Sequence, residues 1–188
     1  VDNMFEKFQP LSFKQEEEDK AAAILKKFGL KKNDKFVCLA VRDGSYSKVK
    51  DHLSRSSFAY HEYRNFDIDD FKLASEELTK KGYYVFRMGV TANKPLISDN
   101  PKVIDYVNSD MRSEFMDIYL GAKCSFCIST GYGFDMIPYI FNKPIGIMSL
   151  PVGDLRTHSE RFLLLTKHHI LIKEKRKLSL SEIFSHGV

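Results

Sequence analysis

Apolar positions along this chain follow two periods. From Lys14 to Phe28, Ala22, Leu25 and Phe28, helped by Ile24, recur at helical spacing behind Glu16, Glu17, Glu18 and Asp19 and ahead of Lys26, Lys27 and Gly29. Acids at the start, bases at the end and a glycine stop match a helix macrodipole and its C-terminal cap, so a helix is predicted there. The pattern returns from Ile68 to Lys81, with Asp67 as N-cap, Asp69 and Asp70 in the first turn, Ile68, Phe71, Ala74 and Leu78 as the buried stripe, and Gly82 as the stop. A third helix, Glu114 to Leu120, is capped by Ser113 and turns Phe115, Ile118 and Ala122 inward. Between these stand short apolar runs: Lys35 to Arg42 (KFVCLAVR), Tyr83 to Met88 (YYVFRM), Val103 to Val107, KCSFCIS at 123 to 129, and Ile145 to Met148. Runs this short fit strands buried on both faces. His169 to Ile172 predicts a last strand and Ser179 to Ser185 a small closing helix. The alternation predicts an α/β fold, a Rossmann-like three-layer sandwich with a mostly parallel sheet, preceded by an N-terminal segment and packing helix over 1–34.

The chain is organised around 112 to 149, where the strand KCSFCIS runs into Ser129-Thr130-Gly131-Tyr132-Gly133. Two glycines let the backbone turn sharply and bring its N–H groups close to a ligand, and the two hydroxyls add donors. A short helix, Phe134 to Phe141, is expected to start there and to be stopped by Asn142 and Pro144. Its N-terminus would favour an anion such as phosphate. The other reading is a turn that binds nothing, since the loop is neither GxGxxG nor a P-loop. Two more strand ends carry chemistry. Arg42-Asp43 ends the first strand, where ligands gather in open parallel sheets; the bland reading is a surface ion pair. Arg87 lies near the end of YYVFRM, either joining Arg42 at the mouth or pairing with an acid at a buried edge.

Composition narrows the partners. With 43% hydrophobic residues, 15 Phe and 9 Tyr, the 188-residue chain has ample core for one domain. Its net charge of +4 comes from scattered bases interleaved with acids, which permits an anionic ligand and does not point to nucleic acid. No run of about 18 apolar residues exists, so no membrane span is expected. The chain starts at Val1 without the apolar core of a signal peptide, and is expected to be a piece of a longer protein. Cys124 and Cys127 form a CxxC, but inside a strand such residues point to opposite faces, which suits neither zinc nor a redox turn. With Cys38 they read as buried reduced thiols and imply a cytosolic setting. The polar connection 44 to 66 is long enough to be functional or mobile, and carries Arg55, His61, Tyr63 and Arg64. His52 and His61 individually read as solvated, and the run Lys173 to Lys177 as a solvated turn.

In order, VCLAVRD, YRNFDIDDF, GYYVFRMG, RSEFMDIYLGAKCSFCISTGYGF and FNKPIGIMSLP resemble a group of bacterial glycosyltransferases of surface-polysaccharide clusters. More distantly they are similar to the nucleotide-sugar-binding half of O-fucosyltransferase-like, GT-B-type enzymes. The resemblance covers roughly residues 35 to 185. It implies that 35–188 is a nucleotide-sugar-binding domain, the C-terminal half of a metal-independent, cofactor-free hexosyl- or fucosyl-type enzyme of polysaccharide biosynthesis. Its partners would be a nucleotide-diphosphate sugar and a glycan acceptor, with the acceptor-binding N-terminal half lying outside these residues. The setting would be cytoplasmic, free or peripheral to the inner membrane. By the same resemblance Arg42 contacts the donor diphosphate, the loop Ser129, Thr130, Gly131, Tyr132 and Gly133 cradles it, and Glu114 or Asp117 meets the ribose. Arg87 would help to neutralise the leaving diphosphate, and Asp43 is the nearby candidate base. The chain departs from the pattern at Ala40, where a His-x-Arg arrangement is usual. The alternative is a non-catalytic nucleotide- or partner-binding module.

Overall fold

A computed structural model describes residues 11–46, 59–152 and 160–187. Helix α1 (Gln15–Lys27) precedes strand β1 (Phe36–Ala40). After 3-10 turns at Ala59–Arg64 and Ile68–Phe71 come α2 (Lys72–Lys80), β2 (Tyr84–Met88) and β3 (Val103–Ile104). A further 3-10 turn, Tyr106–Asn108, leads to α3 (Glu114–Lys123), β4 (Cys127–Ser129), the 3-10 turn Gly133–Asp135 and α4 (Met136–Ile140). The chain continues through β5 (Ile145–Leu150), β6 (Phe162–Thr166), β7 (Ile170–Leu171), β8 (Arg176–Lys177) and α5 (Leu180–Ser185).

Strands β1 to β6 form one sheet in the order β3-β2-β1-β4-β5-β6, with every pair parallel. Strands β7 and β8 make a separate antiparallel pair. Alternation along β1 builds two cores. Phe36, Cys38 and Ala40 face α1, α3 and α4 through Ala21, Phe28, Met116, Leu120 and Tyr139. Val37, Leu39 and Val41 face the other way, onto Ile68, Phe71 and Leu78. Helices on both faces of a parallel sheet make the Rossmann-like three-layer sandwich that the alternation predicts. Helix α1 belongs to the same core as the sheet. Tyr119 and Lys123 of α3 bind Glu18 at 2.7 and 2.6 Å, and Phe13 stacks on Phe141 with ring centroids 5.7 Å apart. Among the described residues, no helix is long and apolar enough to cross a membrane.

The structure corrects several local expectations. Ala21 is the buried alanine of α1, and Ala22 is exposed. The helix expected from Ile68 starts as a 3-10 turn at roughly 3.0 residues per turn instead of 3.6, so the stripe slips by one: Ser75 and Thr79 are buried and Ala74 is exposed. In α3, Met116, Tyr119 and Leu120 face the core, whereas Ile118 is exposed. The strand expected from 123 begins only at Cys127. Cys124 is the C-cap of α3, so both thiols fall in one core with Cys38 and not on opposite faces; all three are free. Strand β6 has no counterpart in the sequence reading. His52, Arg55 and the side chain of His61 lie outside the described residues.

Helix α3 meets α4 at Gly121, where a Cβ would stand 2.7 Å from Ile137 Cγ2 and 3.2 Å from the Phe134 ring. Gly121→Val is expected to lower stability by about 2–3 kcal/mol through overpacking. An unchanged urea midpoint would show that this contact does not set the helix spacing.

Candidate functional site

Strand β1 sends its connection towards β2, and β4 sends its own towards β5, so strand order reverses between β1 and β4. Open α/β sheets bind ligands outside the carboxyl ends of the strands at such a switch point. A cavity of about 530 Å³ lies there, walled by Arg42, Asp43 and Tyr46 after β1, Thr91 after β2, Asp117 of α3 and Tyr132 and Gly133 after β4. Four residues picked out from sequence as site residues therefore share this wall with Asp43. Ser129 and Thr130 are buried behind it, and Glu114 is exposed at the start of α3 and takes no part in it.

The loop after β4 is held by its own hydrogen bonds. Thr130 N donates to Ala40 O, Gly131 N to Ser129 Oγ at 3.0 Å, and Tyr132 N to Asp135 Oδ2 at 3.0 Å. Thr130 Oγ1 accepts from Arg42 N at 2.9 Å, which fastens the end of β1 to the loop. Gly131 has φ 80, the left-handed region that favours glycine. The N–H groups of Thr130, Gly131 and Tyr132 are therefore bonded within the protein and are not offered to a ligand. Helix α4 is only five residues long, and the 3-10 turn that leads into it is closed by Asp135 Oδ2 on Tyr132 N.

Arg87 is likewise not at the mouth. It is 1% exposed. Nη1 donates to Lys94 O at 2.6 Å and lies 3.3 Å from Asp105 Oδ1, while Nη2 lies 3.5 Å from Asp43 Oδ2. Burial is offset only because the guanidinium is paired on both sides. Asp43 takes Ser45 N at 3.0 Å on one oxygen and Asn93 N at 2.7 Å on the other. Burial by itself would raise its pKa, but Ser45, Asn93 and the Arg87 charge together hold the carboxyl below its ordinary value. A carboxylate so well satisfied is a weak base. Its place is structural.

Two further groups shape the wall. Asp117 Oδ2 pairs with Arg112 Nη2 at 2.6 Å, and Arg112 Nε holds Gly89 O at 2.9 Å. Asp117 Oδ1 is buried without a partner, and burial raises the carboxyl's pKa against the pull of Arg112 and Tyr106. Arg42 donates Nε to Asn65 Oδ1 at 3.1 Å and has no ion pair among the described residues. Burial, then the like charge of Arg64, presses its pKa below the ordinary arginine value. Arg64 Nη2 donates to Gly131 O at 2.9 Å, and its Nε is buried without a partner.

Sequence reasoning missed Asn65, Asn93, Arg112 and Asp135. Only Asp135, three residues beyond Tyr132 at a helix entrance, carries a local signal, that of a carboxylate capping a first turn. Comparison of the chain with protein-family models, curated proteins and solved structures finds no match. What the fold and cavity define is a Rossmann-like α/β domain with a crevice at its switch point.

Removing the Arg87 guanidinium strands Asp43 and Asp105. Arg87→Met is expected to cost about 3–5 kcal/mol, read by denaturant unfolding, with a loss under about 1 kcal/mol counting against the pairing. Asp135 gives a pH test. Burial raises its pKa to about 6 against the pull of Ser129, Tyr132 and Arg64. The unfolded value is near 3.9, so the native state binds this proton more tightly. Its contribution to stability is full below about pH 4 and is lost as pH rises through about 6, roughly 3 kcal/mol in all. Asp135→Asn should flatten that part of the stability–pH curve; an unchanged slope would assign it to another group.

Proposed function

We propose that the chain is the donor-binding half of a metal-independent glycosyltransferase that moves a sugar from a nucleotide-diphosphate sugar to a glycan hydroxyl. One observation carries this reading: the switch-point cavity is walled by an arginine, Arg42, with no carboxylate partner among the described residues. The resemblance of the strand-end motifs to polysaccharide glycosyltransferases supplies the reaction class, and fold alone would not. Arg42 neutralises charge that grows on the leaving diphosphate, an electrostatic contribution already organised before the reaction. Asp117 offers its free Oδ1 to a ribose hydroxyl. Asp43, fixed by Ser45, Asn93 and Arg87, is not the base in this scheme; the acceptor's proton is taken by a group from the acceptor-side half.

A second reading, a non-catalytic nucleotide-binding module, is favoured by the same fixing of Asp43 and by Ala40 in place of a histidine. Donor binding without turnover, in a chain that includes an acceptor-side half, would select it.

Calorimetric titration with GDP, UDP, dTDP and CDP, each with and without Mg²⁺, tests the donor reading. Binding of one nucleotide without metal, weakened about tenfold or more by Arg42→Ala, is the expected result. Failure of all four to bind would sink it.

A further inference from the structure

We propose that Arg64 is the second arm of a diphosphate clamp, acting with Arg42 on the phosphoryl groups of the ligand. The inference rests on the donor-binding reading and names residues that would hold the donor's diphosphate. Both arginines meet the loop after β4. Arg42 N donates to Thr130 Oγ1 at 2.9 Å, and Arg64 Nη2 donates to Gly131 O, the next residue, also at 2.9 Å. The segment bearing Arg64 is tied to the end of β1 twice: Asn65 Oδ1 receives Arg42 Nε at 3.1 Å, and Phe66 N donates to Arg42 O at 2.8 Å. Two guanidiniums are thus held as neighbours by a β1 end and a 3-10 turn that lie 22 residues apart in sequence, from Arg42 to Arg64.

The charges around them are paired and theirs are not. Arg87 has Asp43 and Asp105, and Arg112 has Asp117. Neither Arg42 nor Arg64 has an ion pair among the described residues, and the Arg64 charge adds to the electrostatic cost of Arg42's. The nearest acid to consider is Asp135. Its carboxylate feels the Arg64 charge, yet it accepts from Tyr132 N and makes no hydrogen bond to Arg64. The Arg64 Nε is buried with no acceptor, an arrangement folded proteins rarely leave uncompensated. Arg64 lies outside the cavity lining, against Gly131, and is only half-buried, so a change of side-chain torsion exchanges the Gly131 carbonyl for a ligand oxygen. Two adjacent planar forks suit the oxygens of a diphosphate, each phosphoryl taking one guanidinium in bidentate fashion. With the amides of Thr130, Gly131 and Tyr132 bonded internally, the two guanidiniums are placed to attract the anion.

The experiment titrates the chain at low salt with inorganic pyrophosphate and, separately, with the nucleoside diphosphates. It compares wild type, Arg64→Gln, Arg64→Lys and Lys32→Gln, the last removing one exposed charge elsewhere. Pyrophosphate affinity should fall about tenfold in Arg64→Gln, less in Arg64→Lys, and stay within about twofold in Lys32→Gln. Melting curves identify a variant that fails to fold, and Arg64→Lys, which keeps the charge without the fork, then carries the test. Wild-type pyrophosphate affinity in both Arg64 variants overturns the clamp, as does the absence of pyrophosphate binding by wild type. Nucleoside diphosphates that bind well but ignore Arg64 leave the donor reading standing and the clamp fallen. Pyrophosphate that binds through Arg64 while no nucleoside diphosphate binds more tightly leaves the clamp standing and the donor reading fallen.

Discussion

One buried guanidinium holds the carboxyl ends of three strands together. Arg87, the last residue but one of β2, reaches Asp43 after β1, Asp105 after β3 and the Lys94 carbonyl in its own following loop. Placing a charge at 1% exposure is unfavourable unless its donors are met in good geometry, and here two carboxylates and a carbonyl meet them. Those partners are themselves anchored. Asp43 collects the amides of Ser45 and Asn93, and Asp105 Oδ2 collects the Leu96 amide and the Asn108 side chain. The loops after β1, β2 and β3 are therefore one hydrogen-bonded body, and Arg42, the residue before Asp43, is presented from it.

That body determines the electrostatics of the crevice. Every acid near the mouth already serves the structure. Asp43 and Asp105 neutralise Arg87, Asp117 neutralises Arg112, and Asp135 caps the turn into α4. What is left over is positive. This cavity presents the Arg42 guanidinium with no carboxylate partner among the described residues. Guanidiniums also stay charged at every pH a cell meets, so this positive charge is insensitive to pH while the packing behind the loop, through Asp135, is not.

The framework was legible where one period runs unbroken. Acid-first, base-last helices with glycine stops gave α1 and α2 to within a few residues, and the apolar runs of β1, β2 and β5 were unmistakable because strands buried on both faces need no polar alternation. Errors arose where local geometry changes the period or the sequence is ambiguous. The 3-10 entry to α2 moved its stripe from Ala74 to Ser75, whose hydroxyl is satisfied by Phe71 O inside the helix and so tolerates burial. KCSFCIS reads as a strand throughout, yet its first residues finish α3 because Gly121 and Ala122 let that helix run past the expected end, close against α4. Phe162 to Thr166 lacks the burial that marks a central strand: Leu163 and Leu165 are exposed, as befits the edge of the sheet.

The site was legible in its address and not in its wiring. Strand ends rich in Arg, Asp, Ser and Gly mark the rim of the crevice, because a parallel sheet brings its carboxyl ends to one side. Which arginine lines the crevice could not be read locally, since Arg42 and Arg87 occupy similar strand-end positions. The difference is made by residues far away in sequence. Asp105 comes eighteen residues after Arg87 and turns it into a strut, while Arg64 reaches the loop at Gly131 from a connection whose polar sequence carries no period at all. The same holds for the loop itself. Its glycines advertise free amides, but Ser129 and Asp135, two residues before and four residues after Gly131, occupy those of Gly131 and Tyr132. A motif that looks like a backbone nest is thus a shelf whose amides at 130 to 132 are bonded within the protein, and the charge without an ion pair among the described residues sits on side chains drawn from separate parts of the fold.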